Sequence, residues 1–309
     1  MVTGLFSHSA CFAHDTGEGH PECAERLRAV LAALEAEDFA YLDRREAPRA
    51  TAEQLSRVHP GDFVERMLQA IPESGLRYVD GDTIVSPGSG EAALRAAGAV
   101  CAAIDAVMAG ELRNAFCAVR PPGHHAEPAQ AMGFCLFNNV AVGALHARDR
   151  WKLRRIAVVD FDVHHGNGTQ AVFEADADLF YASTHQFPLY PGTGARHENG
   201  VAGNVVNLPL RPFAGSAEFR EAVENILLPR LEAFAPELLL ISAGFDAHRA
   251  DPLAQLQLTD DDYHWVTEQL LAVARKTAQG RVVSALEGGY ALSALASASA
   301  AHVRALMLG

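Results

Sequence analysis

The chain has 309 residues, 49% of them hydrophobic, which is enough apolar material for a large α/β domain and argues against a disordered or fibrous chain. A formal net charge of −13 with no Lys/Arg block excludes a nucleic-acid binder that works by neutralising phosphates. The N-terminal MVTGLFSHSACFAHD has no basic region leading into a long apolar core, and no apolar run reaches the roughly 18 residues of a membrane span, so a soluble, cytoplasmic chain is expected.

In chain order, the pattern predicts a strand at Thr3–Ser7, helices at Pro21–Ala36, Ala52–Ala70 and Glu91–Ala109, and a strand at Ala115–Val119. Strands follow at Ile156–Asp160, Leu179–Ser183 and Val205–Leu208, then a helix at Ala217–Ala233. A strand at Leu238–Ser242, a helix at Asp260–Ala278, a strand at Val282–Leu286 and a helix at Leu292–Met307 complete the list. Most of these apolar runs lack alternation, which suits strands buried on both faces. Strands interleaved with helices imply a single α/β domain over residues 1–309, with a mainly parallel β-sheet and helices on both faces. Cys11, Cys23, Cys101, Cys117 and Cys135 form no C-x-x-C pair and are an odd number, so free, buried thiols are expected.

The polar density falls just after strand candidates, at Arg120–Glu127, Phe161–Gln170, Thr184–Gly194, Ala243–Asp251 and Glu287–Tyr290. Ligands of open parallel sheets bind outside the carboxyl ends of strands, so these loops are expected to meet at one site. In Asp160-Phe-Asp162-Val-His164-His165-Gly166, extended backbone projects residues 160, 162 and 164 to one side. A carboxylate and an imidazole so placed can share one metal ion. A single D-x-H is more often a polar strand end with a satisfied histidine; two acids, two histidines and the neighbouring polar loops reverse that balance. Asp246, in Ser242-Ala-Gly-Phe-Asp246, would supply a third ligand and leave the fourth position open, as hydrolysis requires. Capping of the next helix is the lesser alternative for this residue taken alone.

Arg120-Pro-Pro-Gly-His124-His125 offers imidazoles whose ordinary pKa of about 6.5 suits proton transfer. An exposed or metal-binding pair is the competing reading. Glu287-Gly-Gly-Tyr290 could present a phenol as hydrogen-bond donor to a substrate carbonyl. Gly133-Phe134-Cys135 and Pro188–Gly194 place aromatics at tight turns, suited to lining a narrow slot and equally to ordinary packing.

HPECAERL (20–27), RPPGHHAEPAQAMGFCLFNN (120–139), DFDVHHGNGTQ (160–170), STHQFPLYPGTG (183–194), SAGFDAHRADPL (242–253) and EGGY (287–290) together resemble the histone deacetylase family, in its bacterial, class II-like branch of acetoin-utilisation and acetylpolyamine amidohydrolase relatives. The resemblance implies a zinc-dependent hydrolase of acylated lysine or a related acyl-amine, with one Zn2+ on Asp162, His164 and Asp246. It makes His125 the principal base and His124 its partner, with Asn167 and Asp160 orienting them respectively, and Tyr290 the group that polarises the carbonyl. An amide at Asn167 stabilises imidazolium less than a carboxylate does, so His125 is expected to be the less basic of the pair. Gly133, Phe134, Tyr190 and Leu253 would line the acyl-lysine tunnel. A potassium ion is implied on Asp160, Asp162, Ser183 and the carbonyls of His164 and Thr184, with a second carbonyl-rich ion site near Phe173.

Polyamine-selective relatives carry Glu where this chain has Leu253, so acyl-lysine protein or peptide, or another small acylated amine, is the expected substrate. No nucleic-acid or membrane partner is expected, and a homo-oligomer is compatible with the reading. An acetylpolyamine amidohydrolase is the alternative within the same chemistry, and an arginase-like ureohydrolase is the nearest enzymatic rival. An arginase-like two-metal enzyme would need more acids beside Asp246, and a non-catalytic acyl-amine sensor would not need the complete set of base, ligands and tyrosine.

Overall fold

A computed structural model describes residues 2–309. The order of elements is β1 (Val2–Ser7), α1 (Ala24–Ala33), β2 (Asp43–Glu46), α2 (Ala52–Ser56), α3 (Gly61–Gln69), the small hairpin β3 (Arg77–Tyr78) and β4 (Ile84–Val85), α4 (Ser89–Met108) and β5 (Leu112–Cys117). The second half runs α5 (Asn139–Trp151), β6 (Ile156–Asp160), α6 (Asn167–Phe173), β7 (Leu179–Gln186), β8 (Val205–Leu210), α7 (Ser216–Ala222), α8 (Leu228–Phe234), β9 (Leu238–Ala243), α9 (Asp260–Thr277), β10 (Val282–Leu286) and α10 (Leu292–Leu308).

One eight-stranded sheet has the order β2-β1-β5-β10-β9-β6-β7-β8, and every pairing in it is parallel. Its inner strands bury all their residues, as the unalternating runs require: β6, β9 and β10 have no exposed position. Helices α4 and α5 pack together over one face, and α1, α9 and α10 over the other.

Local signals explain several boundaries. The helix expected over 52–70 is two helices, because Pro60 lacks the N–H a continuing helix needs and instead sits at the N-cap of α3. Thr51 and Gln54 close a capping box at the start of α2. At α9 a Thr259–Asp262 box, acids at residues 260–262 and basic Arg275 and Lys276 in the last turn match the helix dipole.

This order also positions the site. The strands β5, β10, β9 and β6 are immediate neighbours in mid-sheet, and their C-terminal loops carry residues 120–125, 287–290, 246 and 162–164. The loop after β7 adds Tyr190. Sequence-distant loops are thereby brought to one rim, the place where parallel sheets bind ligands.

Candidate active site

Asp160 ends β6 and lies in register with Ser183 of β7 and Ser242 of β9. Beyond it the chain brings Asp162 and His164 against Asp246, with ligand-capable atoms all within 4.8 Å of one another. His164 Nδ1 lies 3.1 Å from Asp162 Oδ1 and 3.2 Å from Asp246 Oδ2. Donors about 2.0–2.1 Å from a tetrahedral ion stand roughly 3.3–3.4 Å apart, so the three groups are spaced for one zinc-sized ion. The carboxylates are braced: Val163 N donates to Asp246 Oδ1 at 2.8 Å and Gly288 N to Asp162 Oδ2 at 2.7 Å. Space for them exists because residues 244 and 288 are glycines; a Cβ at 288 would stand 2.0 Å from Asp246 Oδ2, and one at 244 would stand 2.1 Å from Asp162 Oδ2.

The electrostatics point the same way. Burial and the neighbouring Asp162 carboxylate push Asp246 up to about 7, because like charges held together away from solvent disfavour ionisation. Burial disfavours a charged His164, yet the two carboxylates outweigh it and raise this imidazole to about 10. Two carboxylates and an imidazole facing one point are a donor set for a divalent metal ion.

The tandem histidines stand beside this cluster with ring centroids 4.0 Å apart. His124 Nδ1 lies 2.9 Å from Asp160 Oδ2, and His125 Nδ1 lies 2.9 Å from Asn167 Oδ1. Asn167 is oriented by its own donor, since Nδ2 donates to Glu127 Oε1 at 2.8 Å. Its Oδ1 must therefore accept from His125 Nδ1–H, which leaves His125 Nε2 as the free base. Burial works against charge on both rings. At His124 the Asp160 and Asp162 carboxylates outweigh it and hold the pKa well above the ordinary value. At His125 burial and the neighbouring His124 and His164 hold it well below. The two imidazoles are therefore unequal, and His125 is the less basic.

A cavity of about 260 Å³ opens over the cluster, lined by His125, Gly133, Phe134, His164, Tyr190, Leu253, Tyr290, Asp82 and Leu189. His125 lies edge-on to Tyr190 at 5.1 Å, and Phe134 edge-on to Tyr290 at 6.0 Å. Burial keeps the Tyr290 phenol protonated, well above its usual range, so it can donate. Asp82 and Thr83 were not anticipated: Gly133 N donates to Asp82 Oδ1 and Phe134 N to Thr83 Oγ1, so the aromatic wall hangs from the segment before β4. Glu287, the first residue of EGGY, has a structural role that its sequence position does not reveal. Its Oε2 accepts from Gly123 N at 2.7 Å and His124 N at 3.2 Å, tying the tyrosine turn to the histidine turn. Glu22, inside HPECAERL, is fully buried between Arg26 and Arg120.

The residues named for a monovalent cation are adjacent: Asp160 and Ser183 pair across strands and Thr184 follows. Asp160 is already engaged by His124, the Tyr181 hydroxyl and Asp162 N, and Ser183 Oγ lies 2.8 Å from His185 Nδ1. The second ion site expected near Phe173 is corrected by the structure. There the carbonyls of Phe173, Asp176 and Leu179 converge at 2.9, 3.0 and 2.8 Å on Asn204 Nδ2. An amide nitrogen fills the centre, and its orientation is set by Asn204 Oδ1 accepting from Ala202 N.

No described helix is long and apolar enough to cross a membrane. The five cysteines are free, and all but Cys23 are buried.

Comparison with known proteins agrees with this geometry. Residues 20–306 match the model of the histone deacetylase domain. The chain is 42% identical to the histone deacetylase-like amidohydrolase of Pseudomonas aeruginosa, over 88% of this chain and 73% of that protein. It is 39% identical to the chloroplastic histone deacetylase 14 of Arabidopsis thaliana, over 98% of this chain and 76% of that one. A probable deacetylase of Archaeoglobus fulgidus is 38% identical over 94% of this chain and 82% of its own length. The crystal structure of the HDA15 HD domain superposes with a TM-score of 0.94 at 34% identity, covering 99% of this chain and 88% of that one. The chain belongs to the histone deacetylase family and is a hydrolytic deacetylase or amidohydrolase acting on acylated amines.

Proposed function

We propose that the whole chain is one cytoplasmic catalytic domain that hydrolyses acyl-lysine in a protein or peptide, or a similar small acyl-amine, using one zinc ion on Asp162, His164 and Asp246. The observation that carries this reading is the joint placement of these three ligands, a free base at His125 Nε2 and the Tyr290 phenol around one narrow cavity. Zinc bound there would polarise the acyl oxygen and acidify a water molecule.

The chain's own groups do the rest. His125, held neutral and turned by Asn167, takes the proton of the attacking water at Nε2. Tyr290 donates a hydrogen bond to the acyl oxygen as negative charge builds on it. His124, kept cationic by Asp160, holds positive charge beside the developing oxyanion. The proton taken by His125 then passes to the departing amine. Gly133, Phe134, Tyr190 and Leu253 exclude water along the alkyl chain. Asp160, Asp162, Ser183 and the carbonyls of His164 and Thr184 would hold potassium behind the metal ligands, fixing the end of β6.

Acetylpolyamine hydrolysis is a second reading, favoured by one observation: the Asp82 carboxylate lines the cavity and would attract a second ammonium. A screen of the zinc-loaded protein across acetyl-lysine peptides, acetylpolyamines and longer acyl-lysines tests both. Highest kcat/KM on acyl-lysine supports the first reading, highest kcat/KM on acetylpolyamine replaces it with the second, and no turnover of any acyl-amine by protein with bound zinc refutes both.

A further inference from the structure

The turn that carries Tyr290 is gripped from two sides by groups of opposite charge. Behind it, the fully buried Arg26 takes carbonyls: Nε donates to Gly289 O at 2.6 Å and Nη2 to Glu287 O at 2.5 Å. Its guanidinium carbon lies 4.9 Å from the centre of the Tyr290 ring. From the opposite side Asp251 takes amides: Oδ2 accepts from Tyr290 N at 2.7 Å and from Ala291 N at 3.3 Å. The other oxygen of the same carboxylate accepts from Leu253 N at 2.9 Å. Asp251 is 8% exposed and lines no part of the cavity, whereas Leu253 and Tyr290 both do.

The segment before Tyr290 cannot hold its own shape. Gly288 and Gly289 precede the tyrosine, and Gly289 has φ +126°, a region that glycine enters freely and that offers no side chain to lock the turn. An oxyanion donor must reach its oxygen to within about 2.7–3.1 Å. Its reach is therefore set by whatever anchors the backbone beside it.

We propose that Asp251 is a positioning residue that, by holding the Tyr290 and Leu253 amides on one carboxylate, fixes the reach of the phenol and couples it to the tunnel wall. This rests on the reading of Tyr290 as the donor to the acyl oxygen. Asp251→Ala removes all these amide contacts. Asp251→Asn is nearly isosteric but replaces one acceptor oxygen with an NH2 that cannot accept, so it releases either Leu253 or the Tyr290 side.

The test is a double-mutant cycle on an acetyl-lysine peptide, with kcat and KM for wild type, Asp251→Ala, Asp251→Asn, Tyr290→Phe and the combinations of each Asp251 variant with Tyr290→Phe. A misplacement of about 1 Å costs on the order of 100-fold in rate, so Asp251→Ala is expected to lower kcat roughly 10- to 100-fold with a smaller change in KM. Because Asp251 acts through the phenol, its replacement in the Tyr290→Phe background should cost no more than about twofold further. Losses that multiply, or an unchanged kcat in both Asp251 variants beside an impaired Tyr290→Phe, overturn the inference and leave the proposed function standing. Full activity of Tyr290→Phe overturns the inference together with the role of Tyr290 as donor to the acyl oxygen, whereas loss of all hydrolysis in the zinc-loaded wild type overturns the proposed function itself. Should Asp251→Ala fail to fold, Asp251→Asn carries the same cycle.

Discussion

Replacing Gly288 by alanine should empty the metal site without unfolding the protein. The added Cβ would stand 2.0 Å from Asp246 Oδ2 and 2.6 Å from Asp162 Oδ2, against the 3.0 Å below which such contacts essentially never occur. At least one carboxylate must retreat by about 1 Å, whereas metal–ligand distances tolerate about 0.2 Å. The φ of Gly288 lies outside the left-handed region, so alanine fits the backbone and the clash is the whole perturbation. Disturbing even the groups that merely support metal ligands costs roughly 10- to 100-fold in affinity, and displacing a ligand itself should cost at least ~100-fold, or ~2.7 kcal/mol. Zinc affinity measured by competition with a chromophoric chelator checks this, with Gly61→Ala as control because a Cβ there meets nothing within 4 Å. A folded Gly288→Ala protein that binds zinc within about twofold of wild type would refute the argument that these glycines make room for the ligands.

Tyr290→Phe should lower kcat roughly 100- to 1000-fold, the usual worth of an oxyanion donor, with zinc content unchanged by elemental analysis. Leu253→Glu should raise kcat/KM for an acetylpolyamine several-fold over that for an acetyl-lysine peptide, since it adds an anion at the cavity wall; an unchanged ratio would remove residue 253 from substrate choice. Glu22→Ala would leave the fully buried guanidiniums of Arg26 and Arg120 without their counter-charge and should cost about 3–5 kcal/mol in urea unfolding. Burial lowers His302 to about 3 and, against weaker carbonyl contacts, His59 to about 4. Both folded values lie below the unfolded value of about 6.5, so the unfolded chain binds the extra protons. Their contribution is intact above about pH 6.5 and is lost as the pH falls towards 4 and then 3, at up to ~1.4 kcal/mol per pH unit for each histidine. Urea unfolding between pH 7.5 and 5 should show a shallower decline in His302→Gln than in wild type.

Much of this site was legible because its residues sit where an apolar run stops. The runs at 156–160, 238–242 and 282–286 became β6, β9 and β10 with little change in bounds, and the polar residues crowded after each marked the loops that build the site. What stayed hidden has physical causes. Helix α5 begins in NNVAVG, where β-branched residues and Gly143 weaken the helical signal; its start is fixed by the Asn138 side chain accepting from Ala141 N. Helix α6 starts inside HHGNG, which reads as turn chemistry. Strand β2 is DRRE, a charged edge strand with no apolar run to reveal it. Asp82, Asp251 and Glu287 act by accepting backbone N–H groups from distant loops, and no local pattern reports which loops will meet. Asn204 illustrates the converse: the carbonyls near Phe173 do converge, but on an amide from another loop.

The central claim is that one metal ion on Asp162, His164 and Asp246 makes this chain an amide hydrolase. Stripping the protein with a chelator and titrating zinc back while following hydrolysis of an acetyl-lysine peptide tests it most directly. Activity should be absent in the stripped protein and rise linearly to a break at one equivalent per chain. Full activity without metal, a break at two equivalents, or one bound zinc with no hydrolysis would contradict it.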